Sequence, residues 1–152
     1  MLAANPVDVE EVVIDGMTQH GISLETTSGF VEVSVDHTTI RSNSGNGINS
    51  FITGGTMLLD VSNSRLGTNA TGLSLSSNTK ATISDSVVNG NTTGLVAASS
   101  SPSGGAVRFA NSLITGNGTG LSANGGTLVS FISNVLSGNT ADGTPTSTSV
   151  LQ

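Results

Sequence analysis

The chain has 152 residues, 35% hydrophobic and 9% charged, with 20 glycines, a net charge of −6 and no cysteine, tryptophan or tyrosine. That composition excludes disulfides and thiolate metal centres, disfavours contact with a phosphate backbone, and leaves room for a single domain spanning residues 1–152. No apolar run approaches the roughly 18 residues of a membrane-spanning helix.

Low charge with much Gly, Ser, Thr and Asn is also the composition of disordered chains. A mean hydropathy of +0.15 argues against disorder if the aliphatic residues are regularly placed, and they are. Residues 1–6 form a lead-in that is too short for a secretory signal and lacks its basic start. The expectation is a cytoplasmic chain, or an extracellular or cell-surface one if a signal has been removed from a longer precursor.

From residue 7 the chain repeats one pattern. Val7 and Val9 alternate with Asp8, a two-residue corner follows at Glu10-Glu11, and Val12 and Ile14 open a second stretch. After a turn and Gly21, Ile22 and Leu24 form a third stretch, closed by a corner of variable length at Glu25 to Gly29. The unit then recurs. Its anchor aliphatics are Ile14, Ile40, Leu66, Val88, Ile114 and Leu136. An asparagine follows at Asn43, Asn69, Asn91, Asn117 and Asn139, with Met17 in the first unit, and a glycine at Gly21, Gly47, Gly72, Gly94, Gly120 and Gly143. Before each anchor lies an alternating pair: Val33/Val35, Leu59/Val61, Ala81/Ile83, Val107/Phe109 and Val129/Phe131. After each glycine lies another: Ile48/Ser50, Leu73/Leu75, Leu95/Ala97 and Leu121/Ala123.

Alternation of period two means a strand with one face inward. Three short strands per repeat of 22–26 residues predict an all-β parallel solenoid of about six coils over residues 7–144. Stacked at ~4.8 Å, six coils make a rod roughly 30 Å long. Asn and Asp at the two-residue corner suit a left-handed backbone. The polar column Thr38, Ser64, Ser86, Ser112, Asn134 and the asparagine column can hydrogen-bond to their own kind along the axis. The stretch Ala98 to Gly105 is predicted to project as a loop. In the tail, residues 145–152, Val150 and Leu151 are expected to fold over the last coil.

These repeats resemble those of right-handed parallel β-helix repeat proteins of bacteria, within the pectate-lyase-like superfold. The resemblance implies that Ile22-Ser23-Leu24 and its equivalents form the first sheet, and that the Asn/Asp corner is the tight turn between the second and third. Lyases and hydrolases of that superfold carry their Asp, Arg and Lys on the outward face of the first sheet. Here that face reads Ser23, Asn49, Ser74, Val96 and Ser122. None of these side chains is a general acid or base, and none is a good ligand for a hard metal ion. A left-handed hexapeptide solenoid would need a period of 18, which is absent.

The acids gather elsewhere: Asp8, Glu10, Glu11, Glu32, Asp36 and Asp60 fall on the first three coils. Asp8, Glu10, Glu11, Asp36, His37 and Asp60 are the candidate site, read functionally as a weak Ca²⁺ site or a His–carboxylate pair. The reading preferred over it is a solvated acidic end that keeps a coil edge soluble, with no cofactor. His20 is expected exposed in its turn. Arg41, Arg65, Lys80 and Arg108 read as scattered, without a basic patch. Phe109 and Phe131 map to the core, leaving Phe30 and Phe51 as the aromatic groups available to a sugar. The leading expectation is a non-enzymatic structural or interaction module. The alternative is a carbohydrate-binding, lyase-like or hydrolase-like β-helix, as a fragment or degenerate member. Self-association is expected through the N-terminal coil edge or a sheet face, and no nucleic acid or membrane partner is expected.

Overall fold

The computed structural model describes residues 6–99 and 104–150. The first coil comprises β1 (Val7–Glu10), β2 (Val13–Asp15) and β3 (Ile22–Thr26), and the second β4 (Phe30–Asp36), β5 (Thr39–Arg41) and β6 (Asn46–Ile52). The third holds β7 (Thr56–Ser62), β8 (Arg65–Gly67) and β9 (Thr71–Leu75), and the fourth β10 (Thr79–Ser84), β11 (Val87–Asn89) and β12 (Thr93–Ala97). The fifth holds β13 (Ala106–Ala110), β14 (Leu113–Thr115) and β15 (Thr119–Ser122). Then come β16 (Thr127–Phe131), β17 (Val135–Leu136) and a last strand, β18 (Ser147–Ser149). Among the described residues these form three parallel sheets: sheet A in the order β1-β4-β7-β10-β13-β16-β18, sheet B from β2 to β17, and sheet C from β3 to β15. No helix is present among them.

The columns of the sequence become the stacks of the core. Ile14, Ile40, Leu66, Val88, Ile114 and Leu136 pair in register down sheet B. On sheet A, Val33, Leu59, Ala81 and Val107 align, as do Val35, Val61, Ile83 and Phe109. Ile22, Ile48, Leu73, Leu95 and Leu121 do the same on sheet C. From the second coil to the fifth these side chains lie at 0–4% exposure, so like packs on like in a continuous core.

The tight corner between sheets A and B needs one left-handed residue per coil. Glu11, His37, Asn63, Asp85 and Asn111 take it, with φ between 46° and 54°. The residue after it faces inward and carries the polar column. Thr38, Ser64 and Ser86 each donate a backbone N–H to the hydroxyl of the next coil, at 3.0, 3.1 and 3.3 Å. The hydroxyls of Ser64, Ser86 and Ser112 donate to the carbonyl two residues back.

The asparagine side chains are buried and linked from coil to coil. Asn43, Asn69, Asn91 and Asn117 each donate both backbone N–H and Nδ2 to the Oδ1 of the next asparagine, at 2.8–3.2 Å. The Nδ2 groups of Asn69, Asn91 and Asn117 also donate to the carbonyls of Ile40, Leu66 and Val88. No buried side-chain polar atom among the described residues lacks a partner, so these amides add no unpaired desolvation cost.

The C-terminal end departs from expectation. Five coils have all three strands, whereas the sixth has two, with an isolated Thr119–Ala141 bridge in place of the third. Val107 pairs with Leu128 and Phe109 with Ser130, so the expected pair Val129/Phe131 is out of register by one. Leu128 is buried, and Val129 and Phe131 are only half-buried. The last tight corner holds three residues, Ile132, Ser133 and Asn134, and that extra residue turns the strand over. Asn134 spans the wider corner by donating Nδ2 to the carbonyls of Phe109 and Phe131.

Gly143 also leaves its column, because it follows Asn139 by four positions where Gly120 follows Asn117 by three. Asp142 takes that place, its carbonyl facing Gly120. Ala123, expected inward, lies beyond β15 and is exposed. The described residues of the tail extend sheet A rather than fold over the core: β18 pairs in parallel with β16, and Val150 is 57% exposed. Leu151 lies outside the described residues, as do residues 100–103 of the expected loop. The base of that loop is closed by Gly105 donating to the carbonyl of Ala98 at 2.9 Å. At the other end Val9, Ile14, Ile22 and Leu24 are partly buried and Val7 and Met17 exposed, so the first coil packs less completely than those after it.

Candidate functional site

The six candidate residues divide between two places. Glu10, Glu11, Asp36 and His37 sit at the tight corner of the first two coils, where Glu10 and Asp36 are register partners. His37 Nδ1 lies 2.6 Å from Asp36 Oδ2, while Ser62 Oγ and Asn63 Nδ2 donate to Asp36 Oδ1 at 2.7 and 3.0 Å. Hydrogen bonds from Asn63, then Ser62, then His37 hold the Asp36 carboxyl well below the usual carboxylate range. The hydrogen bond to Asp36 and then its charge, with smaller help from Glu11 and Glu10, raise the His37 pKa. Asp36 clamps two coils at the surface through Ser62 and Asn63, with His37 braced against it. Among the described residues no three His, Cys, Asp or Glu side chains converge as ligands of one metal ion would.

The linkage has a definite sign. A depressed Asp36 stabilises the fold above the ordinary carboxylate range and loses that contribution in acid. A raised His37 stabilises it below about pH 6.5 and loses it as the pH climbs through the shifted value. The pair therefore contributes most between about pH 4 and pH 6.5. Between pH 6 and pH 9, as measured by urea unfolding, the wild type should lose more stability than His37→Asn. Asparagine keeps the left-handed corner, as Asn63 and Asn111 do. Equal losses would show that His37 adds nothing to the clamp.

Asp8 and Asp60 lie farther from the corner on the outward face of sheet A, in the column two residues before that of Glu10 and Asp36. One outward column reads Asp8, Ser34, Asp60, Thr82, Arg108. The neighbouring column reads Glu32, Leu58, Lys80, Ala106. These columns line an open groove of about 700 Å³. Asp8, Glu32, Asp60, Lys80 and Arg108 are all exposed. They come one per coil, with acids on coils one to three and bases on coils four and five. Among the described residues the ion pairs are Asp36–His37 and Asp15–Arg41, so none of the five is in an ion pair.

Lys80 and Arg108 are therefore not scattered but share this face, while Arg65 stands on sheet B. The outward row of sheet C is Ser23, Asn49, Ser74, Val96 and Ser122 in register. His20 is half-buried rather than exposed: its Nδ1 accepts the Asn46 backbone N–H at 2.9 Å, linking the first two coils. Phe30 and Phe51 are exposed, and Phe51 lines a shallow cleft with Glu25, Thr26 and Thr53. Sequence reading missed Asp142, whose Oδ1 accepts both N–H and Nδ2 of Asn139 at 3.2 and 2.8 Å. Its carboxylate closes the row of asparagine amides at the C-terminal end.

Searches of curated proteins and of solved structures return no match. A family model described as the right-handed β-helix region matches residues 3–141. With its three parallel sheets and in-register stacks, the chain belongs to the right-handed β-helix family.

Proposed function

We propose that the chain is a non-catalytic interaction module whose contact surface is the outward face of sheet A. The observation that carries this reading is the row of five unpaired charges, one per coil, along the groove. At ~4.8 Å per coil, the row from Asp8 to Arg108 extends over about 19 Å. Groups that act on one bond converge on a point, whereas an extended row of charges suits an extended partner. The Ser, Asn and Val of sheet C add no acid, base or nucleophile in an activating arrangement.

A second reading has its own support. Asp8, Glu32 and Asp60 stand on successive coils beside Lys80 and Arg108, a spacing compatible with the roughly 5–10 Å carboxylate separation of glycoside hydrolases. All three acids are exposed, without the apolar enclosure that a general acid of that class uses. Incubation with polygalacturonate, alginate and neutral glucans should release neither reducing ends nor unsaturated sugars. Cleavage that disappears in Asp60→Asn or Lys80→Ala would overturn the non-catalytic reading.

A further inference from the structure

We infer that the partner of sheet A is a second copy of this chain, bound antiparallel so that Glu32 faces the partner's Lys80 and Asp8 faces the partner's Arg108. The inference rests on the reading of sheet A as the contact face and names its occupant.

The charges of these two columns are arranged as an inverted palindrome about the third coil. In one column Glu32 stands one coil before Leu58 and Lys80 one coil after it. In the next, Asp8 stands two coils before Asp60 and Arg108 two coils after it. A two-fold axis along the β7 strand direction reverses the rod and keeps each column on itself. It therefore sets each outer acid of these two columns against an outer base, giving four ion pairs from one symmetry operation, while Glu10 and Asp36 in the third outward column face Ala110 and Ser84. A two-fold axis along the rod would instead set the acidic coils against each other and the basic coils against each other, because every acid of these two columns lies on coils one to three. Lys80 and Arg108 have no ion-pair partner within their own chain among the described residues, so both remain available.

Residues on the axis meet their own copies. Leu58, an outward leucine flanked by Glu32 and Lys80, meets the partner's Leu58 and provides an apolar centre inside a charged rim. Asp60 meets the partner's Asp60, which opposes association. About six strands by about five residues give roughly 500 Å² per copy and about 1,000 Å² in total. That is the low end of specific interfaces, so the dimer should be weak, concentration-dependent and sensitive to salt.

Sedimentation velocity across the micromolar range should show a monomer–dimer equilibrium at about 20 mM NaCl and mostly monomer at about 500 mM. Lys80→Glu with Arg108→Glu should abolish the dimer, as should Asp8→Lys with Glu32→Lys. An equimolar mixture of the two double variants should restore it. Asp60→Asn should tighten it about three- to tenfold, because it removes the like charge on the axis. Lys80 is the chain's one lysine. Carbodiimide coupling of mixed ¹⁴N and ¹⁵N protein should therefore yield a Lys80–Glu32 product carrying both isotopes.

A wild type monomeric at low salt throughout that range would overturn the inference, as would a dimer indifferent to both double variants. A monomer that binds polygalacturonate through Lys80 and Arg108 would also overturn it, yet leave the face an interaction surface. Catalytic cleavage would remove that reading too, so the two failures are distinguishable.

Discussion

Gly94→Ala is expected to destabilise the fold by about 3 kcal/mol or more, while Gly116→Ala costs about 1 kcal/mol. A Cβ at Gly94 would lie 2.5 Å from the carbonyl oxygen of Gly120, with Asn117 Nδ2 and Ile114 Cγ2 each at 3.3 Å. The carbonyl belongs to the next coil. It cannot retreat without disturbing Gly120, whose own N–H donates to Ala141 and helps hold the coil beyond. Gly116 is the contrasting case: its φ of +65° disfavours a side chain, but a Cβ there would meet only the Gly90 nitrogen, at 3.8 Å. Urea unfolding of both variants separates close approach from backbone conformation. Equal costs would mean that the glycine column is kept for backbone freedom alone.

Asn91→Ala is expected to cost about 3 kcal/mol, with the loss spread over neighbouring coils. Its Oδ1 accepts two hydrogen bonds from Asn69, and its Nδ2 donates to the Leu66 carbonyl and to Asn117 Oδ1. Removing the amide leaves buried partners on both sides unpaired. Asp142→Ala acts at the end of the same row, where Asn139 is half-buried and water can replace the lost acceptor, so about 1 kcal/mol is expected. A cost at Asn91 no larger than at Asp142 would show that the central amides do not depend on one another.

The fold was legible because its inward positions repeat by type. Ile40, Leu66, Val88 and Ile114 meet the same requirement in successive coils, so an interval of 22–26 residues survives changes in corner length. The asparagines are legible for the same reason, since each must both donate to and accept from its own kind.

The sixth coil was not legible. Leu128/Ser130 and Val129/Phe131 both satisfy period two, and nothing local chooses between them. The choice comes from the three-residue corner at Ile132 to Asn134, and Gly143, one position beyond the register of Gly120, hid Asp142 beside it.

The sheet A face was hidden for a different reason. Outward residues need not match from coil to coil, and Asp8, Glu32, Asp60, Lys80 and Arg108 recur at no fixed interval. They become a row only when sheet register places their strands side by side. The acids are visible as a group on the early coils, but proximity in sequence does not show which of them share a column: register sets Asp8 and Asp60 in the column of Arg108, and Glu10 and Asp36 in that of Ser62. In the sequence Lys80 and Arg108 read as isolated charges, because their relation to Glu32 and Asp8 spans 48 and 100 residues of chain.

Sheet register brings distant outward residues into one row on sheet A. The chain has no cysteine, so spin labels can be placed at Ser34→Cys and Val129→Cys without background. These positions share the column of Asp60, and neither carries charge. In dilute protein at high salt, double electron–electron resonance should give a narrow distribution for backbones about 19 Å apart, four rises of ~4.8 Å, broadened only by the label arms. A broad distribution centred near about 50 Å, as for an unstacked chain of this separation, would contradict the row and the interaction face built on it.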